Sequence, residues 1–274
     1  MTLRAVPDHV RQCAVAGLFY PARARDLAAM VDRLLDAAAA TEDPPLAEAP
    51  LAIVVPHAGY VYSGAIAAAA WSLLRPVREQ VERVVVVGPA HRVPVGGIAT
   101  TSADAFATPL GIVAVDTDMR CLLSKHSAVH VDDRAHACEH SVEVQLPFLQ
   151  RAVGDVGIVP LVAGRASPEV VADVLRPAWE QPHTVIVVST DLSHYLDDCA
   201  ARLVDAQTAA AIVAADADAI KPSDACGAVP LRGLLALASA SGARVRRLAV
   251  GTSADSAGDP ERVVGYGAFA VVRS

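Results

Sequence analysis

The sequence predicts an α/β sandwich in which one sheet is covered by helices on both faces, and three observations predict it. Short runs rich in Val and Ile recur along the chain, they are apolar at consecutive rather than alternate positions, and helical patterns separate several of them. A strand that is apolar at every position has both faces buried, the condition of a strand with helices above and below it. Composition agrees: 53% of the 274 residues are hydrophobic but only 4% aromatic, so the core must be packed closely from Ala, Val and Leu, and a disordered chain is excluded. The length suits a single domain over residues 1–274.

Taken in order, a short N-terminal segment ends in "AGLFYP", and residues 23–40 then place Leu27, Met30, Val31, Leu34 and Leu35 at helical spacing. The acid- and Pro-containing "TEDPPLAEAP" breaks that helix. Residues 51–55 read as a buried strand, followed by "PHAGYVYSG" and an Ala-rich run over 65–71. Strand runs return at 84–87 and 112–115, and 141–153 reads as an amphipathic helix with Val144, Leu146 and Phe148 available to the core. Alternation is clearest next: strand 158–162, helix 168–179, strand 185–188, helix 197–215. A last helix over 231–240 precedes strands at 245–250 and 263–272. There is no internal repeat and no long linker.

Several function classes are excluded. A net charge of -7 with no run of Lys or Arg leaves no footprint for a nucleic-acid backbone or an anionic membrane, and so few aromatics provide no base-stacking platform. Neither G-x-G-x-x-G nor G-x-x-x-x-G-K-[ST] occurs, which argues against a nucleotide cofactor. The start "MTLRAVPDHV" has no apolar signal region and no apolar run is long enough to span a bilayer, so a cytoplasmic protein is expected. Five scattered cysteines without a C-x-x-C pair indicate neither a disulfide framework nor a zinc ribbon. Cys13, Cys121, Cys138 and Cys199 read as small buried thiols, and His9, His126, His130, His136 and His183, in polar loop-like surroundings, as solvent-facing.

Three of the strand runs end alike. Residues 51–55 lead to His57; residues 84–87 lead through Gly88-Pro89 to His91; residues 185–188 lead through Ser189-Thr190 to Asp191 and His194. Parallel strands would bring these ends to one edge of the sheet, where open α/β folds carry their sites. Glu139 and His140, in "RAHACEHSVEVQLPFLQ", either cap the helix that follows or join this cluster. Cys226, just before Gly227 and a helix, reads from the sequence alone as a small buried thiol, the alternative being a thiolate held at a helix N-terminus and free to bind metal.

The motifs "AGLFYP", "PHAGYVYSG", "VVVVGPAH", "EHSVEVQLPFL", "VSTDLSHY", "CGAVPLRGLL" and "GYGAF", in this order over nearly the whole chain, resemble the Memo-like family, whose members are also called AmmeMemoRadiSam system protein B. The family is similar in fold to the class III extradiol ring-cleavage dioxygenases, which implies a three-layer α/β/α sandwich with a largely parallel or mixed central sheet. The resemblance assigns His57, His91 and Cys226 to metal-ligand positions and His194 to the acid or base, with Asp191 beside it to orient it; Tyr60, Glu139, His140 and Tyr195 would surround them. It implies one transition metal ion, Fe(II), Cu(I) or Zn(II), and a metal-dependent oxidoreductase acting on a small molecule or peptide. The alternatives are a non-enzymatic binding module and a zinc-dependent hydrolase. AMMECR-type and radical SAM proteins are the implied partners. Where some relatives carry a second His after "GPSH" and an Arg-His pair after "CG", this chain has Arg92 and Ala228-Val229.

Overall fold

In a strand with both faces buried, alternate side chains must enter two different cores, and the four central strands do so. The computed structural model describes residues 7–40 and 46–274; residues 1–6 of the N-terminal segment and residues 41–45 of the breaker lie outside the described residues. The chain begins β1 (Val10–Arg11), α1 (Ala24–Ala39), β2 (Ala52–Val55), α2 (Tyr60–Trp71), β3 (Arg83–Pro89), β4 (Ile98–Thr100), β5 (Ala105–Thr108) and β6 (Gly111–Ala114). It continues α3 (Thr117–Leu123), β7 (Val129–Val131), α4 (Asp133–Ala137), α5 (Leu146–Ala152), β8 (Gly157–Ala163), α6 (Pro168–Glu180) and β9 (Thr184–Ser189). The remaining elements are β10 (His194–Leu196), α7 (Asp198–Val213), α8 (Ala228–Ser241), β11 (Arg244–Thr252) and β12 (Val263–Val272).

The main sheet runs β10-β12-β2-β9-β3-β8-β4-β7, with β11 also paired to β12. Its centre, β2, β9, β3 and β8, is parallel, while β12 joins β2 and β4 joins β8 in antiparallel sense, so the sheet is mixed. Ile53, Val55, Val84 and Val86 face one core, filled by Leu27, Val31 and Leu35 of α1, Trp71 of α2 and Phe148 of α5. Ala52, Val54, Val85 and Val87 face the other, filled by Leu123 of α3, Leu175 of α6, Ile212 of α7 and Leu231 and Leu235 of α8. The result is the three-layer α/β/α sandwich expected.

Away from the central strand ends, α3, α4, α6 and α7 start on side-chain caps: Asp116, Asp132, Ser167 and Asp197 each accept a backbone N–H of the first turn. The two that start there, α2 and α8, have Gly59 and Gly227 as N-caps and no capping side chain. No helix among the described residues is long and apolar enough to cross a membrane.

The structure departs from the sequence reading in four places. The strand at 112–115 is β6, which belongs not to the main sheet but to a small sheet in the order β1-β5-β6. The helix read over 141–153 begins as a 3-10 turn at Glu143–Gln145 and becomes α-helical only at Leu146, with Pro147 in its first turn. Cys121, Cys138 and Cys199 are exposed, on outer faces of helices or beside them. His136, read as solvent-facing, is buried because α4 lays it over β4, where its Nε2 pairs with the Ala99 carbonyl oxygen at 3.2 Å.

Candidate metal centre

Because β2, β9 and β3 lie side by side and run parallel, their C-terminal ends reach one edge together. His57 follows Val55 at the end of β2, His91 follows Pro89 at the end of β3, and Asp191 follows Ser189 at the end of β9. Cys226 arrives from the other direction, immediately before the N-cap of α8. Gly227 makes that approach possible: its N–H donates to Thr190 Oγ1 at 2.8 Å, and a Cβ there would fall 2.7 Å from the Thr190 Cβ.

His57, His91 and Cys226 each bring a donor atom to within 4.8 Å of the other two. His57 Nε2 lies 3.2 Å from Cys226 Sγ, and the His57 and His91 rings meet edge to face at 5.0 Å between centroids. The tautomer of His57 follows from its neighbours. Ser189 has a single hydroxyl proton, which goes to the Ser141 carbonyl oxygen at 2.6 Å, and it accepts from Gln145 Nε2 at 2.9 Å. It can therefore only accept from His57 Nδ1, at 3.0 Å, which leaves the Nε2 lone pair directed at the thiol. Burial, reinforced by His91 and His140, pushes the His57 pKa far down and keeps the ring neutral. His91 donates from Nδ1 to Glu139 Oε1 at 2.9 Å, which leaves Nε2 as its uncommitted nitrogen.

The thiol is not pre-ionised. Asp191 N–H points at Cys226 Sγ at 3.3 Å, but burial, and then the Asp191 carboxyl, push the thiol up to about 12. The helix N-terminus alone does not hold a thiolate here; a cation is needed to displace the proton. The donor set fits such a cation. Metal bonds of about 2.0 Å to nitrogen and about 2.3 Å to sulfur separate tetrahedral ligand atoms by about 3.5 Å, close to the 3.2 Å between His57 Nε2 and Cys226 Sγ and inside the 4.8 Å that spans all three donors. Two imidazoles and a thiolate suit Zn(II) or Cu(I) and are softer than the carboxylate-bearing sets that favour iron.

Asp191 is also buried, and its carboxyl is raised to about 7 by burial although the His57 and Ala58 amides pull it down. Its Oδ1 accepts from His57 N–H at 2.7 Å, so it braces the backbone of a donor residue. It does not orient His194, as the sequence led us to expect. His194 Nδ1 donates instead to the Leu192 carbonyl oxygen at 2.8 Å, which leaves Nε2 as the acceptor, and burial lowers its pKa. His194 lies outside the donor cluster but close enough for His91 to depress its pKa further.

Of its two sequence readings Glu139 does not meet the cap, since neither the 3-10 turn at Glu143–Gln145 nor α5 has a side-chain cap; it stands instead beside His91. One oxygen accepts from His91 Nδ1 and from the amides of His140 and Ser141, the other from the His91 amide at 2.7 Å. Burial opposes its charge, yet these donors hold its carboxyl well below the usual range. His140 stacks on His91 at 4.6 Å and against Phe19 at 4.7 Å; burial lowers it to about 4, and its Nδ1 has no hydrogen-bond partner. His91, Glu139 and His140 form a second cluster of metal-ligand spacing, but Glu139 is already saturated by donors. Tyr60 does not line the centre: its hydroxyl donates inward to the Val144 carbonyl oxygen at 2.6 Å. Tyr195 stands beside His194, 65% exposed, under the Arg262 guanidinium.

The support beneath these residues escaped the sequence reading. Gln145 donates to Pro56 O and Ser189 Oγ and accepts from Trp71 Nε1, while Glu143 is fully buried in an ion pair with Arg11 and accepts from Ala14 N, Val15 N and Tyr20 Oη. Arg11 also donates to the Glu139 carbonyl oxygen at 2.6 Å. The one available signal was polar residues at alternate positions inside the apolar stretch 142–149, a pattern that demands buried partners.

A family model described as "Memo-like protein" matches residues 11–270. A MEMO1 family protein of Methanococcoides burtonii is 36% identical over 275 residues, covering 96% of this chain and 100% of that protein. One from Archaeoglobus fulgidus is 36% identical, covering 94% and 97%, and one from Aquifex aeolicus is 38% identical, covering 72% of each chain. Among solved structures, an uncharacterized protein of Escherichia coli K12 superposes with a TM-score of 0.53 at 14% identity, covering 80% of this chain and 98% of that one, a likeness of fold alone.

Proposed function

The chain belongs to the Memo-like protein family, and from that premise we propose that it is a metal-dependent enzyme of the oxidoreductase class, with His57, His91 and Cys226 as ligands and His194 as proton acceptor. The observation that carries this reading is the convergence of three donor atoms within 4.8 Å on one sheet edge. Both imidazoles have Nδ1 tied to a partner, so each has one nitrogen in reserve. A transition metal held there would supply a Lewis acid or a redox centre to a bound small molecule.

The chain's own residues supply the rest. Ser189 and Glu139 fix the two rings, and Asp191 holds the His57 backbone. His194, neutral by burial and with Nδ1 committed to Leu192, takes a proton at Nε2 from a hydroxyl or water beside the centre. Family membership and the donor cluster support this reading; the reaction itself is the proposal.

The test is metal stoichiometry. Protein titrated with Co(II) should take up about one equivalent and develop a thiolate-to-metal charge-transfer band. Cys226→Ala should lose the band, and the double variant His57→Ala/His91→Ala should lose stoichiometric binding while staying folded by circular dichroism. Undiminished uptake in the folded double variant overturns the assignment.

A further inference from the structure

We propose that the cavity beside Cys226 is the substrate pocket of this centre and takes a small organic carboxylate, its apolar body against the cavity wall and its carboxylate on Arg165. The inference rests on the reading of Cys226 as part of the reactive centre.

The cavity, about 570 Å³, opens between the ends of β3 and β8 and the first turn of α8, with Cys226 in its wall. That volume lies within the range of small-molecule sites. Pro89, Val95, Val229 and Pro230 make the wall largely apolar, and among the described residues that line it Arg165 alone carries a charge. The base of Arg165 is fixed: its N–H donates to Val95 O at 2.8 Å and its carbonyl accepts from Gly97 N–H at 2.9 Å. Gly164 permits this clamp, since a Cβ there would fall 2.0 Å from Val95 O. The guanidinium at the end of this anchored backbone has no carboxylate within ion-pair distance among the described residues, in a chain with 30 acidic against 23 basic residues.

A single exposed arginine on the wall of a cavity whose other lining residues are uncharged is the complement of an apolar acid, whose carboxylate takes two parallel N–H donors. A neutral ligand would desolvate Arg165 without pairing it, and a phosphate dianion would call for more donors than this wall offers. Val229 occupies the first turn of α8, where the helix end favours negative charge over positive.

The chain carries its own controls for a test, because Cys121, Cys138 and Cys199 are exposed. EDTA-treated protein at alkaline pH is alkylated with iodoacetate or with iodoacetamide, and each cysteine is followed by peptide mass spectrometry. The ratio of iodoacetate to iodoacetamide rates at Cys226 should exceed the ratio at the three exposed cysteines by about tenfold, the worth of one charge-assisted contact. Arg165→Gln should bring Cys226 to the ratio of the controls, and Arg165→Glu below it. A Cys226 ratio equal to the controls in the wild type, or unchanged in Arg165→Gln, overturns the proposal, as does a Cys226 that neither reagent reaches. Zn(II) added beforehand should shield Cys226 from both reagents. Absence of shielding with an Arg165-dependent ratio would remove the metal centre and leave the carboxylate pocket; shielding without that ratio would do the reverse.

Discussion

Glu139→Gln should weaken metal binding by about 10- to 100-fold, the usual cost of removing a carboxylate that orients a ligating histidine. The substitution keeps size and shape, so the effect isolates charge and acceptor count. Glu139 has four donors aimed at it and no donor of its own: His91 Nδ1, His140 N and Ser141 N on Oε1, His91 N on Oε2. In one orientation the Gln amide nitrogen meets the His91 N–H, formerly 2.7 Å from an oxygen; in the other it meets three donors at once. Either way at least one buried donor loses its acceptor, about 1–3 kcal/mol, and the surviving bonds fall from charge-assisted to neutral strength. Together these give a stability loss of about 3 kcal/mol.

Two assays separate the consequences. Urea unfolding of the metal-free protein reads the loss of the turn at 139–141, and competition with a chromophoric chelator reads metal affinity. If Glu139 only capped that turn, stability would fall and the affinity of the folded protein would stay within about twofold. An affinity unchanged in folded Glu139→Gln would refute the argument that the carboxylate tunes His91.

Three further outcomes follow. Glu143→Ala strands the buried Arg11 and three other donors, and should cost about 3–5 kcal/mol by urea unfolding, with a loss under about 1 kcal/mol contradicting the network's weight. His136 is held at about 4 by burial against 6.5 when unfolded; the unfolded chain thus binds the extra proton first, so stability falls as pH drops from 6.5 towards 4, by about 3 kcal/mol in all, and His136→Gln should flatten that part of the pH profile. His194→Ala should leave metal affinity within about twofold yet reduce turnover by about 100- to 10,000-fold once a substrate is in hand, whereas a large loss of affinity in the folded variant would make His194 a ligand.

What the sequence made legible was the part of the structure that repeats. Residues 51–55, 84–87 and 185–188 declare themselves as doubly buried strands because every position is apolar, and parallel neighbours carry His57, His91 and Asp191 to one edge. Cys226 was not legible in this way: it reaches the site from a helix start that follows no strand run, and only the family motif singled it out. Proximity along the chain misled for Asp191 and His194. The turn after β9 sends the carboxylate back to the His57 amide, whereas His194 opens β10, paired with Val264 of β12, and turns its Nδ1 to Leu192. Strands as short as β4, β7 and β10 gave no periodic signal. The Arg11–Glu143 pair spans 132 positions, with nothing local to mark it.

The composition of the donor set is itself a consequence of which groups the fold leaves unsatisfied. Two carboxylates, Asp191 and Glu139, lie beside the cluster, Asp191 Oδ2 4.0 Å from His57 Nε2 and Glu139 Oε1 2.9 Å from His91 Nδ1, and either would make a harder centre than a thiol does. Both are spent on N–H donors, however: Asp191 on the amides of His57 and Ala58, Glu139 on three amides and the His91 ring. Recruiting either as a ligand would strip buried N–H groups of their acceptors, at about 1–3 kcal/mol each. His57 and His91 have already given Nδ1 to Ser189 and Glu139 and have one ring nitrogen left. Cys226 carries the anionic donor that can bind a metal without giving up its amide: Asp191 N–H, 3.3 Å from Sγ, can still donate to a metal-bound sulfur, and burial keeps the proton on the free thiol. On the proposed assignment, hydrogen-bond satisfaction around the sheet edge therefore favours two imidazoles and one thiol, and a metal that prefers sulfur to a carboxylate would disturb the least of the surrounding structure.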